Sequence, residues 1–160
     1  MTAVVQRVLS SSLIADGVQF SECKKGFLVL VGVREGDTRE DADYVCDKIA
    51  KLRVFEDENG KMNLSLVQLK EKGEDVSVMA VSQFTLCADC SHGNRPDFFA
   101  AMKPEGAKLL YEYFVERMRS VHGINTVTGV FGADMLITLQ NDGPVTIIIN
   151  SEDNKKKSKS

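Results

Sequence analysis

Two short segments of the sequence concentrate side chains that could take part in chemistry. The first places two hydroxyls, an amide and an aromatic ring at the end of an apolar stretch, as Ser82, Gln83, Phe84 and Thr85. The second, residues 141–144, ends in Gly143-Pro144, which easily turns two carbonyls to one side because glycine is unrestricted and X-Pro bonds tolerate the cis form. Composition alone favours interpreting the first segment as a strand end whose hydroxyls bond its own backbone, and the second segment can be simply a loop between strands.

The usual machinery of nucleophilic catalysis is missing. A reactive hydroxyl or thiol needs an imidazole base, and the chain has only His92, in a predicted loop, and His122, at the end of a predicted helix. The sequence contains neither a glycine-rich phosphate loop nor a His-Glu-x-x-His motif. If the protein is an enzyme, backbone groups or the substrate itself must do much of the work.

Cys87 and Cys90 have the spacing of a metal-ligand or redox pair. With His92 they could form half a zinc site, but the other cysteines, Cys23 and Cys46, are isolated rather than paired. A redox pair is expected at the start of a helix, whereas a predicted loop follows Cys90. We therefore predict reduced thiols, with no metal and no cofactor.

Composition indicates an ordinary globular protein. The chain has 160 residues, of which 43% are hydrophobic and 27% charged, the size of a single domain. We assign this domain to residues 1–150 and predict that residues 151–160, which are rich in lysine, are disordered. No apolar segment approaches the ~20 residues of a membrane span, and no secretory signal precedes the domain, so a cytoplasmic protein with no membrane partner is predicted.

The charge distribution limits the mode of nucleic-acid binding. The net charge is −3, and the last ten residues contribute four lysines against two acids, which leaves −5 on residues 1–150. An acidic body argues against extended wrapping of nucleic acid, but it allows a local basic patch that holds one end of a strand.

The elements that must position these segments follow a mixed, mainly β pattern with two principal helices. Strands are predicted at residues 3–8, 12–15, 18–20, 26–33, 76–86, 135–139 and 145–149. A tight turn at Asp16-Gly17 joins the second and third of these. The first helix is predicted to begin after the N-cap Thr38 and to run to about Arg53, and the second to run from Pro104 to Gly123.

With these elements in place, the sequence resembles the D-aminoacyl-tRNA deacylases, also called D-tyrosyl-tRNA deacylases. The resemblance follows the family's order and spacing over residues 1–150, in segments 5–8, 52–55, 82–86, 93–98, 129–135 and 141–146. Related deacylases that edit mischarged alanine carry altered versions of segments 82–86 and 141–146, so the forms present here favour the D-specific branch. Residues 9–13 depart from the family pattern, and the cysteine pair has no family role.

The resemblance implies a homodimeric α/β, mainly β enzyme with an antiparallel-rich, barrel-like core. It implies hydrolysis of the ester between a D-amino acid, or glycine, and the 3′-terminal adenosine of tRNA. A cis Gly143-Pro144 peptide would reach into the partner's pocket as a chiral gate. The remaining implied site residues form the pocket floor (Ser82, Gln83, Phe84 and Thr85), lie near it (Phe131 and Met135) or support the gate loop (Arg7).

Two mechanisms and one competing function remain open. Thr85 is a candidate nucleophile, but a threonine with no adjacent base is poorly activated. We favour the alternative implied by the family, in which the tRNA 2′-hydroxyl assists water attack and backbone N–H groups near Phe84 stabilise the oxyanion. The competing function is a non-catalytic nucleic-acid-binding module that uses Lys48, Lys51 and the C-terminal lysines.

Overall fold

Eight strands and four α-helices organise residues 1–157, the part of the chain that the computed structural model describes. The strands are β1 (Thr2–Ala15), β2 (Val18–Cys23), β3 (Gly26–Gly32), β4 (Phe55–Glu56), β5 (Met62–Leu64), β6 (Ser77–Ser82), β7 (Asn125–Thr128) and β8 (Met135–Asn150). The helices are α1 (Arg39–Ala50), α2 (Leu66–Glu71), α3 (Pro104–Ser120) and α4 (Glu152–Lys157), with a 3₁₀ helix at Phe84–Cys87.

Six strands form one strongly curved sheet in the order β2-β1-β3-β6-β7, with β8 paired to β1. The β1 pairings are antiparallel, whereas β3-β6 and β6-β7 are parallel. The first and last strands of this order, β2 and β7, approach each other, since the Ser21 hydroxyl on β2 donates to the Thr128 carbonyl on β7 at 2.9 Å. The sheet is therefore a nearly closed barrel, which confirms the predicted mainly β, barrel-like α/β fold.

The two long helices cover one face of this sheet. The larger core lies between them and the sheet, and α3 contributes the fully buried Phe114 and Met118 to it. The Tyr111 hydroxyl ties α3 to β6 by donating to the Ala80 carbonyl at 2.8 Å. A second, smaller core inside the barrel contains Leu13 and Met79. The barrel and the helix layer together hold the end of β6, where residues 82–85 begin.

Close backbone approach explains one glycine that begins a strand. Gly26 starts β3 with φ +152°, and a Cβ at this position would lie 1.8 Å from the Ser77 carbonyl oxygen on β6. The parallel β3-β6 pair therefore requires glycine there. The predicted turn between β1 and β2 is confirmed, because Asp16 and Gly17 both have positive φ, 50° and 80°.

The structure corrects three strand predictions. The strands predicted at 3–8 and 12–15 are one strand, β1, because β8 accompanies it along its whole length. The strands predicted at 135–139 and 145–149 are likewise continuous in β8. The strand predicted at 76–86 ends at Ser82, because β3 ends at Gly32 and the chain turns into the 3₁₀ helix that buries Cys87 against the Val33 carbonyl.

The two predicted helices are present at the predicted positions, but both end earlier than predicted. Helix α1 begins after the N-cap Thr38, as predicted, and stops at Ala50 rather than Arg53; the structure adds a capping box between Thr38 and Asp41. Helix α3 has Pro104 in its first turn and ends at Ser120. The short α2 was not predicted, and its signal is the capping box of Ser65 and Gln68.

Part of the lysine-rich tail is helical. Residues Glu152–Lys157 form α4, and Lys155 pairs with Asp41 of α1 at 2.9 Å. The acidic start of α4 suits the helix dipole, and the ion pair holds it on the body. The rest of the tail, 158–160, lies outside the described residues. Among the described helices, none combines the length and apolarity needed to cross a bilayer.

Candidate active site

The end of β6 presents the first predicted segment as a turn rather than an extended strand. Ser82 is the last strand residue, and the chain enters the 3₁₀ helix at Phe84. The Gln83 side-chain amide donates to the Thr85 hydroxyl at 2.5 Å, and both residues are accessible. The amides of Phe84 and Thr85 lie in the first turn of this helix, where backbone N–H groups have no partner within the helix. The segment therefore offers polar side chains and backbone donors at one strand end.

A cavity of about 700 Å³ opens beside this turn. Its polar floor includes Ser82 and Gln83, and its other walls come from the segment before α3, the first turns of α3, and the loop before β8 with the start of β8. The cavity wall includes several apolar or aromatic side chains, namely Phe84, Phe98, Met102, Ala107, Phe131 and Met135. Phe84 and Phe98 pack edge to face with ring centroids 5.0 Å apart. This mixture of an apolar wall with a few polar groups is typical of a small-molecule site.

The cavity brings together five of the predicted site residues, namely Ser82, Gln83, Phe84, Phe131 and Met135. Thr85 is exposed and does not line it, although its hydroxyl is bonded to Gln83. Sequence reasoning did not select Phe98 and Lys103 as site residues, although both line the cavity. Phe98 lies in matched segment 93–98, so the family pattern contained its signal, whereas Lys103 had none beyond its place next to Pro104.

Arg7 holds the second predicted segment, residues 141–144, in place. Arg7 is 6% exposed, and its Nε donates to the Asp142 backbone carbonyl at 3.2 Å and pairs with the Asp142 carboxylate at 3.0 Å. The Asn141 amide donates to the carbonyls of Arg7 and Val145, at 3.0 and 3.1 Å. These bonds attach residues 141–145 to β1 and explain why β8 is not interrupted by a free loop.

Gly143 and Pro144 form the exposed tip of this anchored segment. The peptide bond between them is cis, and Gly143 has φ +125°. A Cβ on Gly143 would lie 2.8 Å from Val145 Cγ2 and 3.3 Å from Arg7 Nη2. The tip thus combines a conformation that L side chains rarely adopt with little space for one. Neither residue lines the cavity of its own chain.

The histidines do not supply a base to this site. His92 is exposed in the loop after Cys90. His122 Nε2 lies 2.9 Å from Asp47, between α1 and α3. Burial alone would raise the pKa of Asp47, but hydrogen bonds from His122 and Arg117 lower it overall. This group is an interhelical ion cluster, and neither histidine is among the residues that line the cavity.

Cys46, Asp47 and His122 are the described residues that come near enough to share a metal ion. The arrangement fits an ion poorly, because burial raises the pKa of the Cys46 thiol to about 12 and a metal ligand must be a thiolate. Arg117 also occupies the Asp47 carboxylate at 2.9 Å. The cluster is best explained as a contact between α1 and α3.

The cysteine pair has no redox geometry. Cys87 is buried and donates its thiol to the Val33 carbonyl at 3.4 Å, while Cys90 is exposed. Burial raises the pKa of the Cys87 thiol, the opposite of what a reactive thiol requires. The interpretation of Cys87 as an incidental thiol agrees with this environment.

Comparison with known proteins now decides the family. The family model for D-Tyr-tRNA(Tyr) deacylase matches residues 4–150. The chain belongs to this family. Among similar curated proteins, the D-aminoacyl-tRNA deacylase of Clostridium novyi is 51% identical over 153 residues, covering 95% of this chain and 98% of that protein. The D-aminoacyl-tRNA deacylase of Thermosipho melanesiensis is 49% identical over 152 residues, covering 95% and 98%.

Solved structures give the same deacylase fold. The structure of a c-Myc DNA Unwinding Element Binding Protein is 40% identical, has a TM-score of 0.84, and is matched over 94% of this chain and 98% of its own. A probable eukaryotic D-amino acid tRNA deacylase is 15% identical with a TM-score of 0.76, matched over 94% and 100%. The second likeness is evidence for the fold alone.

Proposed function

We propose that the protein hydrolyses the ester that joins a D-amino acid, or glycine, to the 3′-terminal adenosine of tRNA, and that it spares L-aminoacyl-tRNA. Membership of the deacylase family makes the chain a hydrolase of aminoacyl-tRNA. The observation that carries the finer proposal is the cavity floored by Ser82 and Gln83. We assign the reaction to the cytoplasm, where aminoacyl-tRNA is used.

The cavity suits an aminoacyl-adenosine in size and lining. Its volume of about 700 Å³ is within the range of small-molecule sites, roughly 300–1,000 Å³. Ser82 and Gln83 would bind the amino group and the acyl carbonyl, because they are polar side chains on the floor. Phe131 and Met135 would pack against the apolar parts of the substrate. Neither a cofactor nor a metal is needed for this assignment.

The chiral gate would come from a second copy of the chain. Gly143 and Pro144 are exposed at the end of a segment that Arg7 and Asn141 hold in place, and they do not line their own cavity. A rigid, projecting tip of this kind is suited to enter a neighbouring molecule's site. There its backbone carbonyls would occupy the position of an L side chain, whereas a D side chain would point away.

Exposed apolar side chains on β8 support a homodimer. Along β8, Leu136 and Ile148 lie on either side of the tip and are 66% and 65% exposed. Leu136 pairs with Ile14 of β1, which extends the apolar surface across the sheet. Apolar side chains exposed at both ends of one strand favour burial against a partner. A two-fold dimer on this face would carry both tips across the interface.

The mechanism we propose relies on the substrate and the backbone. No imidazole bonds the Thr85 hydroxyl in the described residues, and this hydroxyl accepts from Gln83 and does not line the cavity. The tRNA 2′-hydroxyl would instead assist attack of water on the ester carbonyl. Backbone N–H groups at Phe84 and Thr85 would stabilise the oxyanion, a contribution of about 3–4 kcal/mol in characterised enzymes.

The direct test is hydrolysis of D-tyrosyl-tRNA by the purified protein, measured as loss of the radiolabelled ester. We expect turnover well above the spontaneous rate, and a matched variant with a blocked floor, Ser82→Trp, should lose it. Turnover that is the same with and without the protein would contradict the proposed function.

Nucleic-acid binding without catalysis is the second candidate, because the 40% identical c-Myc DNA Unwinding Element Binding Protein is named for binding DNA. On the described part of the tail, Lys155 is already paired with Asp41, which reduces the charge available to a nucleic acid. Replacing the four tail lysines by glutamine should therefore leave D-tyrosyl-tRNA hydrolysis intact. Loss of RNA binding in that variant, together with no hydrolysis by the unaltered protein, would favour the binding module.

A further inference from the structure

We propose that Phe99 is a stacking platform for the nucleobase that precedes the terminal adenosine of the tRNA. This inference rests on the proposed function, because it takes the ester to lie at the floor of the cavity. It assigns a role to a residue that neither the sequence motifs nor the cavity lining includes. Its chemistry is that of single-stranded nucleic-acid binding, in which bases stack on aromatic side chains.

Phe99 lies in the chain between two residues that line the cavity wall. The Ala101 amide donates to the Phe98 carbonyl at 2.9 Å, which closes a turn with Phe99 and Ala100 at its centre. Phe98 and Ala101, the two ends of the turn, both line the cavity. Phe99 does not line it and is 92% exposed. The turn therefore directs the Phe98 ring into the cavity wall and leaves the Phe99 ring, next to it in the chain, exposed to solvent.

The turn is held by backbone bonds on each side. Before it, Asp97 exchanges two backbone hydrogen bonds of 3.0 Å with Asp89, and its side chain accepts from the Phe99 amide at 3.2 Å. After it, the Ala100 carbonyl accepts from the Glu35 amide, and the Met102 amide donates to the Val33 carbonyl, both at 3.0 Å. The backbone that carries the ring is therefore constrained before any ligand binds, which lowers the entropic cost of stacking.

Two basic side chains near this turn complement a phosphate backbone. Arg95 lies in the loop just before the turn, and Lys103 lines the cavity just after it. Among the described residues, neither is paired with a carboxylate. An isolated exposed phenylalanine is common on protein surfaces. An exposed aromatic ring on a constrained backbone beside a cavity, with a cation without an ion pair on each side in the sequence, instead matches the groove and platform of a single-strand site.

The terminal adenosine is esterified to the amino acid, so it must enter the cavity with the ester. The nucleotide before it then lies at the entrance, where Phe99 stands. This order distinguishes the proposal from one in which Phe99 stacks on the terminal adenine itself. A substrate that lacks the preceding nucleotide separates the two.

The test compares D-tyrosyl-tRNA with D-tyrosyl-adenosine, the terminal nucleoside ester alone. For Phe99→Ala we expect kcat/KM on D-tyrosyl-tRNA to fall about 5- to 100-fold through KM, because one base stack is lost. Turnover of D-tyrosyl-adenosine should be unchanged, and Phe99→Trp should restore tRNA turnover. Phe20→Ala removes another exposed aromatic ring, outside the cavity lining, and should alter neither substrate.

The outcomes separate this inference from the proposed function. Normal kcat/KM on D-tyrosyl-tRNA for Phe99→Ala, in a protein that hydrolyses both substrates, overturns the inference and leaves the function in place. An equal loss on both substrates also overturns it, because Phe99 would then act on the terminal nucleoside. If the unaltered protein hydrolyses neither substrate, the proposed function fails, and the inference fails with it.

Discussion

At the scale of single residues, the candidate site contains side chains that hold neighbouring groups in place. Gln83 fixes the Thr85 hydroxyl, and Arg7 fixes the carbonyl and carboxylate of Asp142. Neither arrangement resembles a nucleophile with its base. The chemistry we propose therefore uses the position of backbone groups more than the reactivity of side chains.

Thr85→Ala tests the role of the hydroxyl. We expect substantial retained activity on D-tyrosyl-tRNA, because the hydroxyl is exposed, lies outside the cavity lining and has no base. The matched measurement uses tRNA that ends in 2′-deoxyadenosine and carries the ester on the 3′-hydroxyl, which should be cleaved poorly by the unaltered protein. Complete loss in a folded Thr85→Ala protein, together with normal turnover of the deoxy substrate by the unaltered protein, would restore Thr85 as the nucleophile.

Arg7→Gln tests the support of the gate segment. Removing a buried guanidinium leaves the Asp142 carbonyl and carboxylate without their partner, so we expect a loss of about 1–3 kcal/mol in the free energy of unfolding. Activity on D-tyrosyl-tRNA should fall at least tenfold, because the tip is no longer held. Urea denaturation and initial rates measure the two effects.

Arg53→Gln is the control for Arg7→Gln, since Arg53 is an exposed arginine that bonds Asn63 rather than the gate segment. It should change activity less than twofold. Full activity in Arg7→Gln would show that the tip does not depend on this support.

At the scale of elements, the parallel pairing of β3 with β6 determines where residues 82–85 are presented. The two strands start in register at Gly26 and Ser77 and run together to Val31 and Ser82. The end of β6 thus emerges beside the end of β3, under the segment that leads into α3. Any change that separates these strands displaces the floor of the cavity.

Gly26→Ala tests this pairing. The added Cβ would meet the Ser77 carbonyl at 1.8 Å, so we expect a loss of about 3–5 kcal/mol in the free energy of unfolding. The matched control is Gly17→Ala, where φ is also positive but nothing lies within 4 Å, and a loss of only about 1–2 kcal/mol is expected. Equal losses in thermal or urea unfolding would mean that the strand contact is not the constraint.

Local sequence signals predict some of these elements and miss others for physical reasons. Asp16-Gly17 and Thr38 predict a turn and a helix start because the requirement is local. The continuity of β8 is not local, since it depends on Asn141 bonding Arg7 across the sheet. The apolar residues up to Leu86 indicate a strand, but tertiary burial of Cys87 turns them into a 3₁₀ helix.

In the candidate site too, some residues have a recognisable sequence signal and others depend on the fold. Residues 82–85 and Gly143-Pro144 are recognisable because their types and order match a family pattern. Lys103 is not recognisable, because a single lysine before a helix has no distinctive pattern until the fold places it in the cavity wall. The exposed Phe99 likewise has no distinctive pattern, because it lies in a loop where no hydrophobic periodicity indicates which side chains are buried.

At the scale of the whole molecule, the proposed function requires two chains for one site. The floor belongs to the chain that holds the cavity, and the proposed gate to its partner. In a two-fold dimer each chain then contributes a floor to one site and a gate to the other. Activity should therefore depend on protein concentration in the range where the dimer dissociates.

Mixing two inactive variants tests this division. Ser82→Trp blocks the floor, and Gly143→Trp places a bulky side chain on the gate. Each variant should be inactive, but a heterodimer contains one site in which both parts are native. Random exchange in an equal mixture should recover up to about a quarter of the native sites. Verified heterodimers without recovered activity would place floor and gate in the same chain.

The ratio of hydrolysis rates for D- and L-tyrosyl-tRNA, charged on the same tRNA, tests the central claim most directly. The two esters have the same atoms and bonds and differ only in the configuration at one carbon, so the contribution of tRNA binding cancels from the ratio. We predict rapid hydrolysis of the D ester and of glycyl-tRNA, with the L ester decaying at its spontaneous rate. Equal acceleration of the D and L esters would contradict the gate at Gly143-Pro144.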